Sequence, residues 1–328
     1  MTQLDLKGEL SVTDSQQTLL PLLIYRAGDK AQYKYAEFFT NTLRNANTRK
    51  SYARACKRFF DWCADKGLSL ETVHPVAAAA YFRALEEEMA LESVKQHLAA
   101  VRRLYDWLVV EGAAGFNPVS SVRGPRVSYR KGKTPVLTAD QTRRLLDAPD
   151  PNTLKGKRDR ALLAVLFYAW VRASAAAGLE VRDYQQQGRR TFLRFREKGG
   201  KVHEVPAHHH AQDLLDIYIR SAGIDLMDKT QQRLPLFRTL DRRRNLSDNA
   251  LRRQDVTKLL KRYALEARLP HAFSAHSARA TGITTYLDNG GTLEVAQDIA
   301  GHADSRTTRL YDRTKDKVTL SEVERVRY

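Results

Sequence analysis

Residues 191–206, Thr-Phe-Leu-Arg-Phe-Arg-Glu-Lys-Gly-Gly-Lys-Val-His-Glu-Val-Pro, are where the periodicity of the chain changes. Leu193 and Phe195 alternate with Arg194 and Arg196, and Val202 and Val205 follow Gly199-Gly200. Period-two alternation lays one face of a strand on a core, and a Gly pair supplies the backbone freedom of a tight turn. The stretch therefore predicts a β-hairpin turning near Gly-Gly, with Lys198 at its tip. On both sides the pattern returns to helix. Everything after Ala211 reads as helices punctuated at Gly223, Pro235, Gly290-Gly291 and Gly301. Upstream, an Ala/Leu-rich segment from Lys157 to Ala177 reads as helix, and Thr138-Ala-Asp-Gln141 has capping-box spacing and opens this domain.

Further toward the N-terminus, residues 117–137 change composition. Pro118, Gly124, Pro125 and Gly132 interrupt any helix, and Arg123, Arg126, Arg130, Lys131 and Lys133 occur with no acid among them. This reads as a basic linker, either a solvated face or a strap that follows phosphates. Before it, residues 33–116 read as helical. Asn47-Thr48 can start a helix in which Tyr52, Cys56, Phe59 and Cys63 recur at spacings of four, three and four, with Gly67 placed to stop it. An Ala-rich helix follows Pro75. Ser93 can cap a third helix burying Val94, Leu98, Val101, Tyr105 and Leu108, ended by Gly112. Residues 1–32 show no strong period. The fold class that results is mainly α with a small antiparallel β-sheet in the C-terminal domain: an N-terminal segment 1–32, a helical domain 33–116, a linker 117–137 and a mixed domain 138–328.

Composition narrows the partners. The 328 residues carry 55 Lys+Arg against 38 Asp+Glu, a net charge of +17, which favours a polyanion such as nucleic acid or an anionic membrane surface. No helix with clean basic and apolar faces supports the membrane surface, and no apolar run approaches the roughly 20 residues that span a bilayer. Leu19–Tyr25 lacks the flanks of a secretory signal. Two cysteines cannot build a disulfide scaffold, so a reducing, cytoplasmic compartment is expected. Cys56 and Cys63 share one apolar helix face and read as core residues, not ligands. His208-His209-His210, with His203 nearby, lack a Cys or acid to complete a tetrahedral set and read as a solvated helix start, so no metal and no cofactor is expected. Arg242-Arg243-Arg244 and Arg252-Arg253 read equally as surface charge or phosphate contacts.

The candidates for chemistry lie in a fixed order: Arg172 in Ala-Trp-Val-Arg, Lys198 at the hairpin tip, His276-Ser-Ala-Arg279, Gly301-His302, and Tyr311 nine residues later. The spacing of His276 and Arg279 puts both on one helical face. Arg, Lys, His-x-x-Arg, Gly-His and Tyr in this order resembles the tyrosine recombinase (phage-integrase) family over nearly the whole chain.

The resemblance implies a two-domain clamp, with a helical SAM-like core-binding domain joined by the Asn117-Pro118 linker to a catalytic domain. It implies a site-specific DNA recombinase with Tyr311 as nucleophile forming a 3′-phosphotyrosine, without metal. Arg172 and Arg279 would fork onto the non-bridging oxygens, Lys198 would be general acid, His276 acid/base, and His302 a hydrogen-bond donor to the transition state. Candidate DNA contacts are Arg49, Lys50, Arg123, Arg126, Arg130, Lys131, Lys133 and Lys201; the last is also a second candidate for the hairpin lysine. The implied partners are double-stranded DNA and three further copies in a homotetramer on paired sites, in a prokaryotic, nucleoid-associated setting such as a mobile element. The tail 318–328 would either pack on its own domain or dock on a neighbouring protomer. The short segment ahead of Tyr33 leaves no room for a separate arm-site domain, which points to a core-site recombinase.

Two positions depart from the family pattern. Trp170 stands where Gly is usual, and Ala175 where Glu or Asp is usual. They motivate an alternative, a catalytically weakened DNA-binding accessory protein, with Glu180 as a substitute acid; a type IB topoisomerase shares the same residues.

Overall fold

The structure is a computed structural model, and it describes residues 20–126, 134–188, 190–197, 200–269, 273–302 and 305–312. The chain divides into two compact units, Met1–Ser128 and Tyr129–Tyr328.

The first unit is helical: α1 (Leu22–Arg26), α2 (Asp29–Glu37) running into a π turn at Phe38–Thr42, α3 (Ala46–Asp65), α4 (Pro75–Glu88) and α5 (Leu91–Val110). Helix thus begins ahead of residue 33, because Leu23 and Ile24 are buried on the unit's core. The α3 cap is Asn45, whose side chain accepts from the Asn47 and Thr48 N–H groups, so the helix starts at Ala46, one residue ahead of the Asn47-Thr48 start expected. Ser93 is likewise not a cap: α5 starts at Leu91 after Ala90, and Ser93 N–H donates to the Ala90 carbonyl inside the first turn. The predicted faces hold. Cys56, Phe59 and Cys63 of α3 and Val94, Leu98, Val101, Tyr105 and Leu108 of α5 are buried together, with Phe59 edge-on to Tyr81 at 5.0 Å and Tyr105 at 6.2 Å.

Residues 117–122, expected to be linker, belong to this core. Val119 and Val122 are buried, and Arg102 donates from Nε to the Val119 carbonyl and from a terminal nitrogen to the Val122 carbonyl. Two apolar side chains and two satisfied carbonyls hold the strap on α5, which composition alone does not show.

The second unit contains α6 (Ala139–Asp147), α7 (Leu154–Tyr168), α8 (Ala173–Ala177), β1 (Tyr184–Gln187), β2 (Arg190–Arg196), β3 (Val202–Pro206), α9 (His209–Ser221), β4 (Arg238–Leu240), β5 (Leu246–Ala250), α10 (Arg253–Glu266), α11 (Ala275–Asp288), α12 (Leu293–Ala300) and α13 (Ser305–Arg309). Thr138 and Gln141 form the expected capping box. The hairpin is β2–β3, with Leu193 opposite Val205 and both buried. It carries an unforeseen third strand, β1, antiparallel to β2.

Two expectations fail here. The β4–β5 hairpin interrupts the region after Ala211 that reads as all helix. It lacks apolar alternation and is held instead by a turn in which Asp241 accepts from the Asn245 N–H, and by Arg158, which donates to the Arg238 carbonyl at 2.7 Å. Arg158 also pairs with the fully buried Asp159, whose other oxygen takes Tyr263 and Arg262 of α10. A buried carboxylate so surrounded ties α7, the hairpin and α10 into one frame. The second failure is the helix predicted over 157–177, which breaks at Ala169–Arg172, where Trp170 takes φ +52°.

Among the described residues no helix is long and apolar enough to cross a membrane.

Candidate active site

The break between α7 and α8 places the first arginine. Arg172 does not close a helix; it is the residue preceding α8, with 45% of its side chain exposed. Trp170 reaches its left-handed conformation because its indole is buried against Gly282 on α11, where a Cβ would lie 2.1 Å from the ring. Left-handed backbone costs roughly 1–2 kcal/mol for a non-Gly residue, and burial of a large indole offsets it. The bend turns the Trp170 carbonyl onto Arg279, which donates to it at 2.7 Å and to the Ala300 carbonyl at 2.5 Å. Arg279 is only 2% exposed, so these bonds hold the cation's edge and leave its remaining donors for a ligand.

His276, one turn before Arg279 on α11, keeps part of its surface exposed, while its ring contact with Tyr311 is half-buried. Its Nε2 lies 3.2 Å from the Tyr311 hydroxyl. Tyr311 follows α13, is 5% exposed, and is fixed by its N–H to the Thr308 carbonyl and by Thr284 Oγ1 donating to its own carbonyl. Gly301, at φ +60°, ends α12 and lets His302 N–H return to the Gln297 carbonyl. His302 then packs nearly parallel to the Tyr311 ring and makes a 2.8 Å bond between Nδ1 and Thr308 Oγ1.

Burial and the two arginines set the electrostatics. Burial first, then Arg279 and Arg172, lower the basicity of His276 and bring His302 down to about 4, which keeps the His302 imidazole neutral at pH 7. Burial raises the Tyr311 phenol, while Arg279 and Arg172 pull it the other way. Burial lowers Arg279 itself to about 10, with Arg172 adding to the effect.

Arg172, His276, Arg279, His302 and Tyr311 are thus linked through these contacts and fields. Lys198 lies outside the described residues, as do Arg130, Lys131, Lys133 and the tail 318–328. Lys201 is exposed on the hairpin, and Arg123 and Arg126 are exposed in the first unit, as is Lys50; Arg49 beside it is half-buried. Glu180 does not serve Arg172: its carboxylate takes Arg182 and Arg196. The acid on Arg172 is Glu197, which the sequence reading missed. Nothing in the sequence links two residues 25 apart; a carboxylate beside the hairpin lysine was the available hint. The His208-His209-His210 run does open a helix, with His208 as cap and stacked on Tyr168 at 4.3 Å. Among the described residues no three His, Cys, Asp or Glu side chains are grouped to hold a metal.

Residues 135–317, over half of the 328, match the phage integrase family, and residues 35–112 match the phage integrase N-terminal SAM-like domain. The tyrosine recombinase XerD of Listeria monocytogenes is 28% identical over 81% of this chain and 88% of its own length. Among solved structures, the XerH site-specific recombinase bound to palindromic difH substrate, a post-cleavage complex, aligns with a TM-score of 0.66 at 18% identity, covering 94% of this chain and 92% of its own. A lambda integrase dimer bound to a COC′ core site aligns at 0.65 and 17% identity, covering 94% of this chain and 83% of its own. At such identities the structures speak to the fold, whereas the family model spans the arginine, histidine and tyrosine positions assembled above: the chain belongs to the phage integrase, or tyrosine recombinase, family.

Proposed function

We propose that the protein is a site-specific DNA recombinase that cuts and rejoins double-stranded DNA through a 3′-phosphotyrosine at Tyr311. The observation that carries the reading is the Tyr311 hydroxyl 3.2 Å from His276 Nε2, in the field of Arg279 and Arg172. In the tautomer with its proton on Nδ1, neutral His276 takes the phenolic proton as the oxygen attacks phosphorus. Arg172 and Arg279 bind the two non-bridging oxygens and neutralise the charge that builds there, a task suited to planar, permanently charged guanidinium groups. The 5′ oxygen leaves with a proton from Lys198. His302 donates from its remaining ring nitrogen to the phosphoryl group, its Nδ1 being engaged with Thr308. The bond energy is kept in the tyrosyl ester, so a 5′ hydroxyl can reverse the step on the same or a different strand.

In this reading the two guanidinium groups carry the charge neutralisation, and the chemistry proceeds in EDTA. The exposed Lys50, Arg123, Arg126 and Lys201 and the basic stretch 130–133 hold the duplex, so binding weakens steeply with salt. A homotetramer on paired sites, with the tail 318–328 docked on a neighbouring protomer, completes the proposal. The test is covalent trapping on a random DNA library with sequencing of what becomes attached. We expect one enriched site, adducts undiminished by EDTA, and none from Tyr311→Phe protein that still binds that site. Adducts spread over all sequences, with relaxation of supercoiled DNA, would mark a topoisomerase instead.

A further inference from the structure

The two arginines of the site are held differently. Arg279 is buried and anchored by two backbone carbonyls. Arg172 stands on a loop with its side chain 45% exposed, and the partner of its guanidinium is the Glu197 carboxylate. Glu197 follows β2 directly, and its backbone N–H closes the hairpin onto the Lys201 carbonyl at 2.7 Å. That backbone bond needs no acidic side chain. Yet the carboxylate is turned inward, 3% exposed, with Oε2 on Arg172 and Oε1 buried among the described residues without a partner.

A carboxylate in that position is costly unless a cation compensates it; among the described residues its ion-pair partner is Arg172, and Arg279 also lies within its field. The other acid near in sequence, Glu180, is spent on Arg182 and Arg196. The residue one turn on from Arg172 is Ala175, buried and uncharged.

We propose that Glu197 is the positioning residue for Arg172: it grips one edge of the guanidinium from the hairpin and holds the remaining donors toward the scissile phosphate. Because Glu197 immediately precedes Lys198 in sequence, the same contact ties the hairpin strand that leads to the general acid to the phosphate-binding arginine. The inference deepens the recombinase reading and rests on it.

The test uses the full chain and a nicked duplex carrying the site found by trapping, which releases the 5′ fragment and accumulates the adduct. Cleavage rate at saturating DNA, DNA affinity and thermal melting are read together. Glu197→Gln keeps the shape and removes the charge; we expect cleavage to fall at least tenfold with affinity unchanged or tighter, since a negative group beside the phosphate is gone. Glu197→Asp should fall between Gln and wild type. In an Arg172→Ala background, Glu197→Gln should add less than a twofold loss. If Gln at 197 melts the chain, Glu197→Asp carries the test, because its shifted carboxylate must slow cleavage without weakening binding. Wild-type cleavage in both variants, parallel loss of affinity and rate, or a further tenfold loss in the Arg172→Ala background would overturn the proposal. Wild-type protein that forms no Tyr311 adduct overturns the recombinase reading itself, so the two failures are distinct.

Discussion

The core of the first unit and the α11–Tyr311 region of the second are both buried, and they differ in how much polarity they enclose. Around α3, α4 and α5 the interior is Phe59, Phe60, Tyr81, Phe82 and Tyr105 with two thiols, and burial holds both Cys56 and Tyr105 well above their ordinary pKa values. Around α11 the buried positions include Ser277, Arg279, Thr281, Thr284, His302 and Thr308, beside an apolar cluster of Trp170, Ala280, Ile283 and Leu287. The first core is stabilised by apolar area, which is non-directional and tolerant of detail. The second is stabilised by directed hydrogen bonds that fix where a cation, a phenol and an imidazole stand. What separates a scaffold from a site here is the polarity of what is enclosed, and stability is the quantity traded.

That contrast can be broken most forcefully at Phe59. Phe59→Ala should cost about 3–5 kcal/mol, as large-to-small changes in aromatic cores do, measured by urea unfolding. The folded fraction should keep the rate of Tyr311 adduct formation at saturating DNA. A rate that falls with stability would mean the two regions are not separable.

Arg279→Met reverses the balance. It removes a costly buried charge while keeping much of the volume, so stability should move by no more than about 1–3 kcal/mol in either direction. Adduct formation should drop at least a hundredfold. A variant that loses stability heavily while its folded fraction still cleaves would make Arg279 a structural residue.

The narrowest effect, seen only under acid, is a pH dependence confined to the polar region. His302 sits near 4 when folded against about 6.5 when free. Between those values the unfolded chain binds the extra proton, so stability is complete above pH 6.5 and is lost as pH falls toward 4. The size is on the order of 3 kcal/mol, and His302→Gln should remove most of it. A melting curve flat from pH 7 to 4.5 in the wild type would show that His302 is not held neutral.

These differences also govern how much was legible in the sequence. The faces of α3 and α5, the Thr138 cap and the β2–β3 hairpin were readable because local pattern and tertiary burial agree. The break at Ala169–Arg172 was not, since Ala-Trp-Val-Arg holds no Gly or Pro; the bend is fixed by Gly282, more than a hundred residues away, which leaves room for the indole. The β4–β5 hairpin escaped for the same reason, being held by Arg158 and an Asp241 turn instead of by alternation. Of the candidate site, Tyr311, Arg172, Arg279, His276 and His302 were readable from order and spacing. Their supports were invisible: the Trp170 and Ala300 carbonyls, Thr308 and Glu197 are brought there by folding, and a carbonyl has no signature in a sequence. The nomination of Glu180 shows the limit of proximity along the chain as a guide to proximity in space.

In the proposed reaction the Tyr311 oxygen is the atom that becomes joined to DNA. The most direct test is to trap the adduct on the nicked duplex, digest it, and map the modified peptide by mass spectrometry. A nucleotide phosphate is expected on the peptide that contains Tyr311, and no adduct from Tyr311→Phe. A phosphodiester on any other residue, or an undiminished adduct from the phenylalanine variant, would contradict it.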